Sequence, residues 1–281
     1  AITRYRQAIE LNPAFAGPYN NVAIAINKTG KQEDAVKSFK KAIELKPNFV
    51  EAYYNLGNTF NSLKEHEAAV SSFGRAISLQ PEFANAHYNL AVLLHEIGRY
   101  EDAIVSYSRA IEIKPNSFEV HFNLGNTLKT LERFEDAIVS FNAAISLKPN
   151  YTEAYNNVGT TLNKLARPGS AVTALNKAIT LRPEYAIAYT NLGNAFTDLH
   201  NYEEAITNYK RAVQIEPSLY DAHNNLCFTW QELRLQKKAN EHCSKLFPKP
   251  TVCSSANVIP PITTLLTFGR SGSLFFHSLI D

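Results

Sequence analysis

Glu51-Ala52-Tyr53-Tyr54-Asn55-Leu56-Gly57, running on to Leu63, and Glu67-Ala68-Ala69-Val70, running on to Leu79, are two helical runs separated only by Lys64-Glu65-His66. Their apolar residues recur three and four apart, the spacing that gathers side chains on one face of a helix. Two helices joined by so short a polar interval fold back on each other as an antiparallel hairpin. Pro47 precedes this pair and Pro81 follows it, and the spacing continues in both directions: Pro13, Pro47, Pro81, Pro115, Pro149, Pro183 and Pro217 stand 34 residues apart. Each proline is expected to end the second helix of a hairpin, because its ring and missing N–H cannot continue the ladder. In one hairpin, Arg167-Pro168-Gly169-Ser170 replaces the usual acidic turn, and Pro168 is expected to start a helix without breaking it.

The residue types explain how the hairpins pack. The first helix, helix A, carries a large residue (Tyr19, Tyr53, His87, His121, Tyr155, Tyr189), an aliphatic one three later, and then a small one (Ala23, Gly57, Ala91, Gly125, Gly159, Gly193). The small residue lets helix B approach closely, where a larger side chain would push the pair apart. Helix B answers with Phe39, Phe73, Tyr107, Phe141, Leu175 and Tyr209, flanked by alanines such as Ala69 and Ala76.

This pattern resembles the tetratricopeptide repeat family. The resemblance implies an all-α, right-handed solenoid in which units stack on their neighbours, with a concave face lined mostly by helix A. It divides the chain into a helix B remnant (1–15), six full units (16–219), a degenerate seventh unit or capping helices (220–250) and a non-repeat extension (251–281). The chain opens inside an amphipathic helix, so its natural N-terminus is expected to lie upstream.

One polar residue recurs in every unit: Asn21, Asn55, Asn89, Asn123, Asn157, Asn191 and Asn225 stand just before the aliphatic core position. Asparagine is a poor residue for a helix interior, so a fixed register needs a reason. One reason is structural, amides tying neighbouring hairpins together; the other is functional, a row of donors and acceptors that binds the backbone of an extended polypeptide. A sparser row, Asn58, Asn126 and Asn194, lies one turn on in alternate units, and Tyr54, Tyr88 and Phe122 lie beside the ladder, free either to grip a ligand or to pack on the next hairpin. The unit form resembles the repeat superhelix of the O-linked N-acetylglucosamine transferases. That resemblance implies that these asparagines line the inner surface and grip peptide backbone. The face has no repeated Lys/Arg pair of the kind that clamps a C-terminal carboxylate.

After Trp230 the repeat fades. The segment 262–281 reads as a strand, a Gly/Ser turn and an apolar helix, an arrangement that can cradle phosphate on backbone N–H groups. Arg270, Ser271, Gly272 and Ser273 resemble the phosphosulfate loop of sulfotransferases, with Leu274 departing from the pattern. The resemblance implies that a longer chain would take 3'-phosphoadenylyl sulfate, and that this one is the recruiting arm of a transferase, without a complete active site.

Composition narrows the rest. A chain of 281 residues with 45% hydrophobic and 19% charged residues is an ordered protein, and a net charge of +2 gives no field that would draw nucleic acid or an anionic membrane. Cys227, Cys243 and Cys253 have no metal-ligand spacing and read as buried thiols or incidental residues; the eight histidines are dispersed, so neither a metal site nor a catalytic group is expected. The Glu residues at repeat boundaries read as helix caps and solvent-facing charges. No run is long and apolar enough for a membrane helix. The expected partner is an extended polypeptide or the chain's own tail. A homo-oligomer or head-to-tail polymer joined through the repeat ends is the other arrangement, and a cytoplasmic location is the default.

Overall fold

The computed structural model describes residues 2–233 together with Leu235 and Lys238. These residues form fourteen helices. Helix α1 (Ile2–Leu11) is a lone helix B; α2 (Ala16–Asn27) and α3 (Gln32–Leu45) make the first hairpin, α4 (Val50–Ser62) and α5 (His66–Leu79) the second. The third is α6 (Ala84–Glu96) and α7 (Tyr100–Ile113), the fourth α8 (Phe118–Thr130) and α9 (Phe134–Leu147). The fifth is α10 (Thr152–Lys164) and α11 (Pro168–Leu181), the sixth α12 (Ala186–Asp198) and α13 (Tyr202–Ile215). Helix α14 (Tyr220–Glu232) stands at the helix A register of the seventh unit. Residues 251–281, and with them Arg270, Ser271, Gly272 and Ser273, lie outside the described residues.

Each helix A from α2 to α12 packs on its own helix B and on the helix B before it, and α14 packs on α13. Helices A of successive hairpins also touch, at α2–α4, α4–α6, α6–α8, α10–α12 and α12–α14, whereas no two helices B make comparable contact. The array therefore curves with helix A on its inner side.

The turns follow from local chemistry. Lys46, Gln80, Lys114, Lys148, Arg182 and Glu216 each precede a proline and have φ between −138° and −131°, the extended backbone that a following proline imposes. Pro168 stands at the start of α11 and leaves the hairpin intact. The turn from helix A to helix B has a requirement the residue types hide: Gly30, Lys64, Gly98, Glu132, Ala166 and His200, at one register, all have φ between 54° and 80°. Only two of the six are glycine, so four side chains are held in a left-handed conformation that costs about 1 kcal/mol each. Ala166→Gly is accordingly expected to raise stability by about 0.5–1 kcal/mol, read as a higher urea midpoint, because relief of strain outweighs the added freedom of the unfolded chain.

The core follows the repeat. Phe39, Phe73, Tyr107, Phe141, Leu175 and Tyr209 are at most 2% exposed. The buried cluster holding Phe39 continues through Leu56 and Phe73 to Leu93, so hydrophobic contact passes from unit to unit and each hairpin depends on its neighbours. The caps correct the sequence reading: no helix from α2 to α14 has a side-chain cap bond at its N-terminus. The capping register holds residues such as Phe49, Phe83 and Arg99, and the acidic residues sit one or more places inside the first turn. There they face the positive end of the helix dipole, and Asp102 and Asp136 pair with Arg99 and Arg133 at 2.7 Å.

Candidate functional site

The ladder asparagines stand on consecutive helices A along the inner side, each half-buried. Their amide nitrogens turn toward the preceding hairpin. Asn55 Nδ2 donates to Asn20 Oδ1 (3.3 Å), Asn89 Nδ2 to the Tyr54 hydroxyl (3.0 Å) and to Asn58 Oδ1 (2.7 Å), and Asn123 Nδ2 to the Tyr88 hydroxyl (3.0 Å). Asn157 Nδ2 donates to Asn126 Oδ1 (2.7 Å), Asn191 Nδ2 to Asn156 Oδ1 (2.8 Å), and Asn225 Nδ2 to Asn194 Oδ1 (2.7 Å). Asn21, which begins the row, accepts from Asn20 Nδ2 at 3.4 Å.

These bonds explain the second row of asparagines. A ladder amide takes its partner from the residue just before the preceding rung, as at Asn20, Tyr54, Tyr88 and Asn156. At Phe122 that register has no oxygen, and the Thr190 hydroxyl is turned inward onto its own helix, donating to Ala186 O at 3.2 Å. In those two units Asn126 and Asn194, one turn on, supply the acceptor instead. Only Asn89 has both partners. Tyr209 adds a bond to Asn194 Oδ1 at 2.7 Å, and burial pushes its phenol well up from the ordinary range, so it stays a neutral donor.

The Oδ1 atoms of Asn55, Asn89, Asn123, Asn157, Asn191 and Asn225 have no hydrogen-bond partner among the described residues. Tying Nδ2 to the preceding unit fixes the amide plane, and so fixes the direction of that oxygen. The inner face is therefore a row of oriented acceptors on a half-buried surface.

The three aromatics beside the ladder take part in packing. Tyr54 lies 4.9 Å from the Phe83 ring and Tyr88 6.2 Å from the Tyr107 ring, while Phe122 meets Tyr151 at 4.8 Å. The histidines at the large register do more than pack. His87, His121 and His223 place Nε2 at 2.9–3.0 Å from the carbonyl of the turn prolines Pro81, Pro115 and Pro217, as the Tyr19 hydroxyl does with Pro13 at 3.2 Å. They satisfy a carbonyl that the ended helix leaves open. Cys227 sits at the small register of the seventh unit and is buried and disulfide-bonded, which corrects its reading as a thiol.

A second set of ties runs along the far end of helix A. Asn27 Nδ2 donates to Thr59 Oγ1 at 3.2 Å and His95 Nδ1 meets Thr127 Oγ1 at 2.9 Å. The same register holds Asn61 and Asn163, whose Oδ1 atoms are buried without a partner. The residues at the threonine register of the following units are Leu93 and Ala195, which carry no polar atom. Threonine at this register is fully buried in Thr59, Thr127, Thr161 and Thr229, so the fold accepts it there in four units. Ala195→Thr, its hydroxyl proton taken by the Asn191 carbonyl as in the other threonine units, is expected to offer Asn163 Nδ2 the acceptor that Thr59 gives Asn27, and to raise stability by at most about 1 kcal/mol in urea denaturation.

Among the described residues no three His, Cys, Asp or Glu side chains gather as they would to hold a metal, and no helix is long and apolar enough to cross a membrane.

Known proteins place this geometry. Family models described as tetratricopeptide or TPR repeats match residues 27–63, 57–98, 93–132, 118–151, 152–185 and 186–219. No curated protein sequence matches the chain. Among solved structures, YrrB, described as a TPR protein with an unusual peptide-binding site, is 28% identical with a TM-score of 0.61, over 67% of this chain and 97% of that one. MamA from Desulfovibrio magneticus RS-1 is 25% identical with a TM-score of 0.56, over 59% of this chain and 93% of that one. The stacked hairpins and the unbroken run of matches over residues 27–219 make this chain a right-handed solenoid of the tetratricopeptide repeat family.

Proposed function

We propose that the inner face holds an extended polypeptide by its backbone, the ladder oxygens accepting from the ligand's amide N–H groups. The observation that carries this reading is the row of Oδ1 atoms, half-buried and aimed by the bonds of their own amides, with no intramolecular partner among the described residues. A backbone-directed row tolerates many side-chain sequences, because every non-proline residue offers the same donor. The likeness to YrrB, a repeat protein described by its peptide-binding site, supports the same reading.

The test is selection of a random peptide library by the intact chain. The wild type is expected to enrich unstructured peptides, the triple variant Asn89→Ala, Asn123→Ala, Asn157→Ala to enrich none, and the double variant Tyr54→Phe, Tyr88→Phe to retain weaker binding, because every Oδ1 remains and only Asn123 loses the bond that aims it. Unchanged enrichment by the triple variant, with its helical circular dichroism intact, would remove the ladder from the binding site. The other readings, the recruiting arm of a transferase using 3'-phosphoadenylyl sulfate and head-to-tail assembly, rest on residues 251–281 and on the repeat ends.

A further inference from the structure

On the inner side the fourth and fifth hairpins meet at α8 and α10, which the Asn157 to Asn126 bond joins at 2.7 Å. Two lysines stand there. Lys129, the penultimate residue of α8, reaches across to the next hairpin and places Nζ 3.3 Å from Thr160 Oγ1 on α10. Lys164 ends α10 four residues after Thr160, about 6 Å further along the same face. Neither lysine makes an ion pair with a carboxylate among the described residues, although eight ion pairs are formed elsewhere. Thr160 does not neutralise the site: its hydroxyl proton goes to Asn157 O at 3.0 Å, leaving its lone pairs to the lysine.

The pair also lies next to the ladder. Asn126 and Asn157, joined at 2.7 Å, stand three residues before Lys129 and Thr160 on the same two helices, one turn away. At the register of Lys164 the other units carry Lys28, Ser62, Glu96, Thr130 and Asp198. Two positive charges are thus adjacent only at this junction along the inner row, with acidic residues on either side of it.

We infer that the Lys129–Lys164 junction receives an acidic side chain, aspartate or glutamate, of the polypeptide held on the neighbouring rungs. The ligand carboxylate takes the place that Asp34 and Glu44 hold at Lys37 and Lys41. The state of the free protein agrees: burial and the nearby Lys164 ammonium push the pKa of Lys129 down, as for a cation waiting without a counter-charge. Aspartate or glutamate on a ligand therefore adds selectivity to a row that otherwise reads only backbone.

This inference rests on the polypeptide-binding reading, and the same library selection separates their fates. Peptides enriched by the wild type are expected to carry Asp or Glu far above its frequency in the library, and replacing that residue by Asn or Gln in a synthetic copy is expected to weaken binding roughly tenfold. The variant Lys129→Gln, Lys164→Gln is expected to fold, since it removes two like charges from a half-buried and an exposed position, and to enrich peptides without the acidic excess. The reversal Lys129→Glu, Lys164→Glu is expected to shift the selection to Lys and Arg. An acidic excess that persists in the glutamine variant, or a wild-type pool with none, overturns the inference while leaving backbone binding in place. Failure of the wild type to enrich any peptide overturns both.

Discussion

Gly125→Val is expected to lower stability by about 2–3 kcal/mol, seen as a fall in the urea midpoint with an unchanged slope. A Cβ at Gly125 would lie 2.6 Å from Cε1 of Phe141, a ring with no exposed surface, and valine adds two further methyl carbons to that contact. The ring has no free side to move to, because Phe122 packs on it with centroids 5.7 Å apart. The same geometry recurs at Gly57, Gly159 and Gly193, against Phe73, Leu175 and Tyr209 at 2.8, 2.5 and 2.4 Å. Alanine is a different case. Ala23 and Ala91 stand at this register opposite Phe39 and Tyr107, so a hairpin can accommodate one methyl by a small shift. Gly125→Ala is expected to be close to neutral, its gain in helix propensity of about 1 kcal/mol offsetting that shift. A valine variant as stable as the wild type would mean that the close approach does not determine how the hairpin closes.

Replacing Asn89, Asn123 and Asn157 together by alanine is expected to remove peptide binding and also to destabilise the array by about 2 kcal/mol. These residues make four bonds to the hairpins before them. Each is worth about 1 kcal/mol, and the three alanines return part of that through helix propensity. The Tyr54→Phe, Tyr88→Phe variant separates the two effects. It removes the acceptors of Asn89 and Asn123 but leaves every ladder Oδ1, so stability should fall by about 1 kcal/mol with binding weakened but retained. Asn89 keeps Asn58 as a partner in that variant, and most of the loss is expected at Asn123. If the tyrosine variant loses binding as completely as the alanine variant, orientation of the amide and not its oxygen alone is required. If the alanine variant is as stable as the wild type, the ties between hairpins contribute nothing to the array.

Asparagine at one register had two readings in sequence, structural and functional, and the geometry bears out the structural one at the amide nitrogen. The nitrogen holds the preceding unit, while the oxygen, without a partner among the described residues, is the group that the proposed peptide binding would use. For the aromatics beside the ladder the outcome is more one-sided: Tyr54 and Tyr88 give their hydroxyls to the ladder, and Phe122 stacks on Phe141 and Tyr151.

The sequence alone determined the hairpin, the 34-residue unit and the small register where the two helices of a unit meet. All three depend on residues close together in the chain, whose contacts follow from helical periodicity, a short turn and the bulk of one side chain. The tertiary structure decided which oxygen each ladder amide would find, why Asn126 and Asn194 stand where they do, and that Lys129 would lie against Thr160. Those partners are 31 or 35 residues apart, and whether they meet depends on the rotation from one hairpin to the next. That rotation is set by packing along the whole interface between units, and no local pattern encodes it.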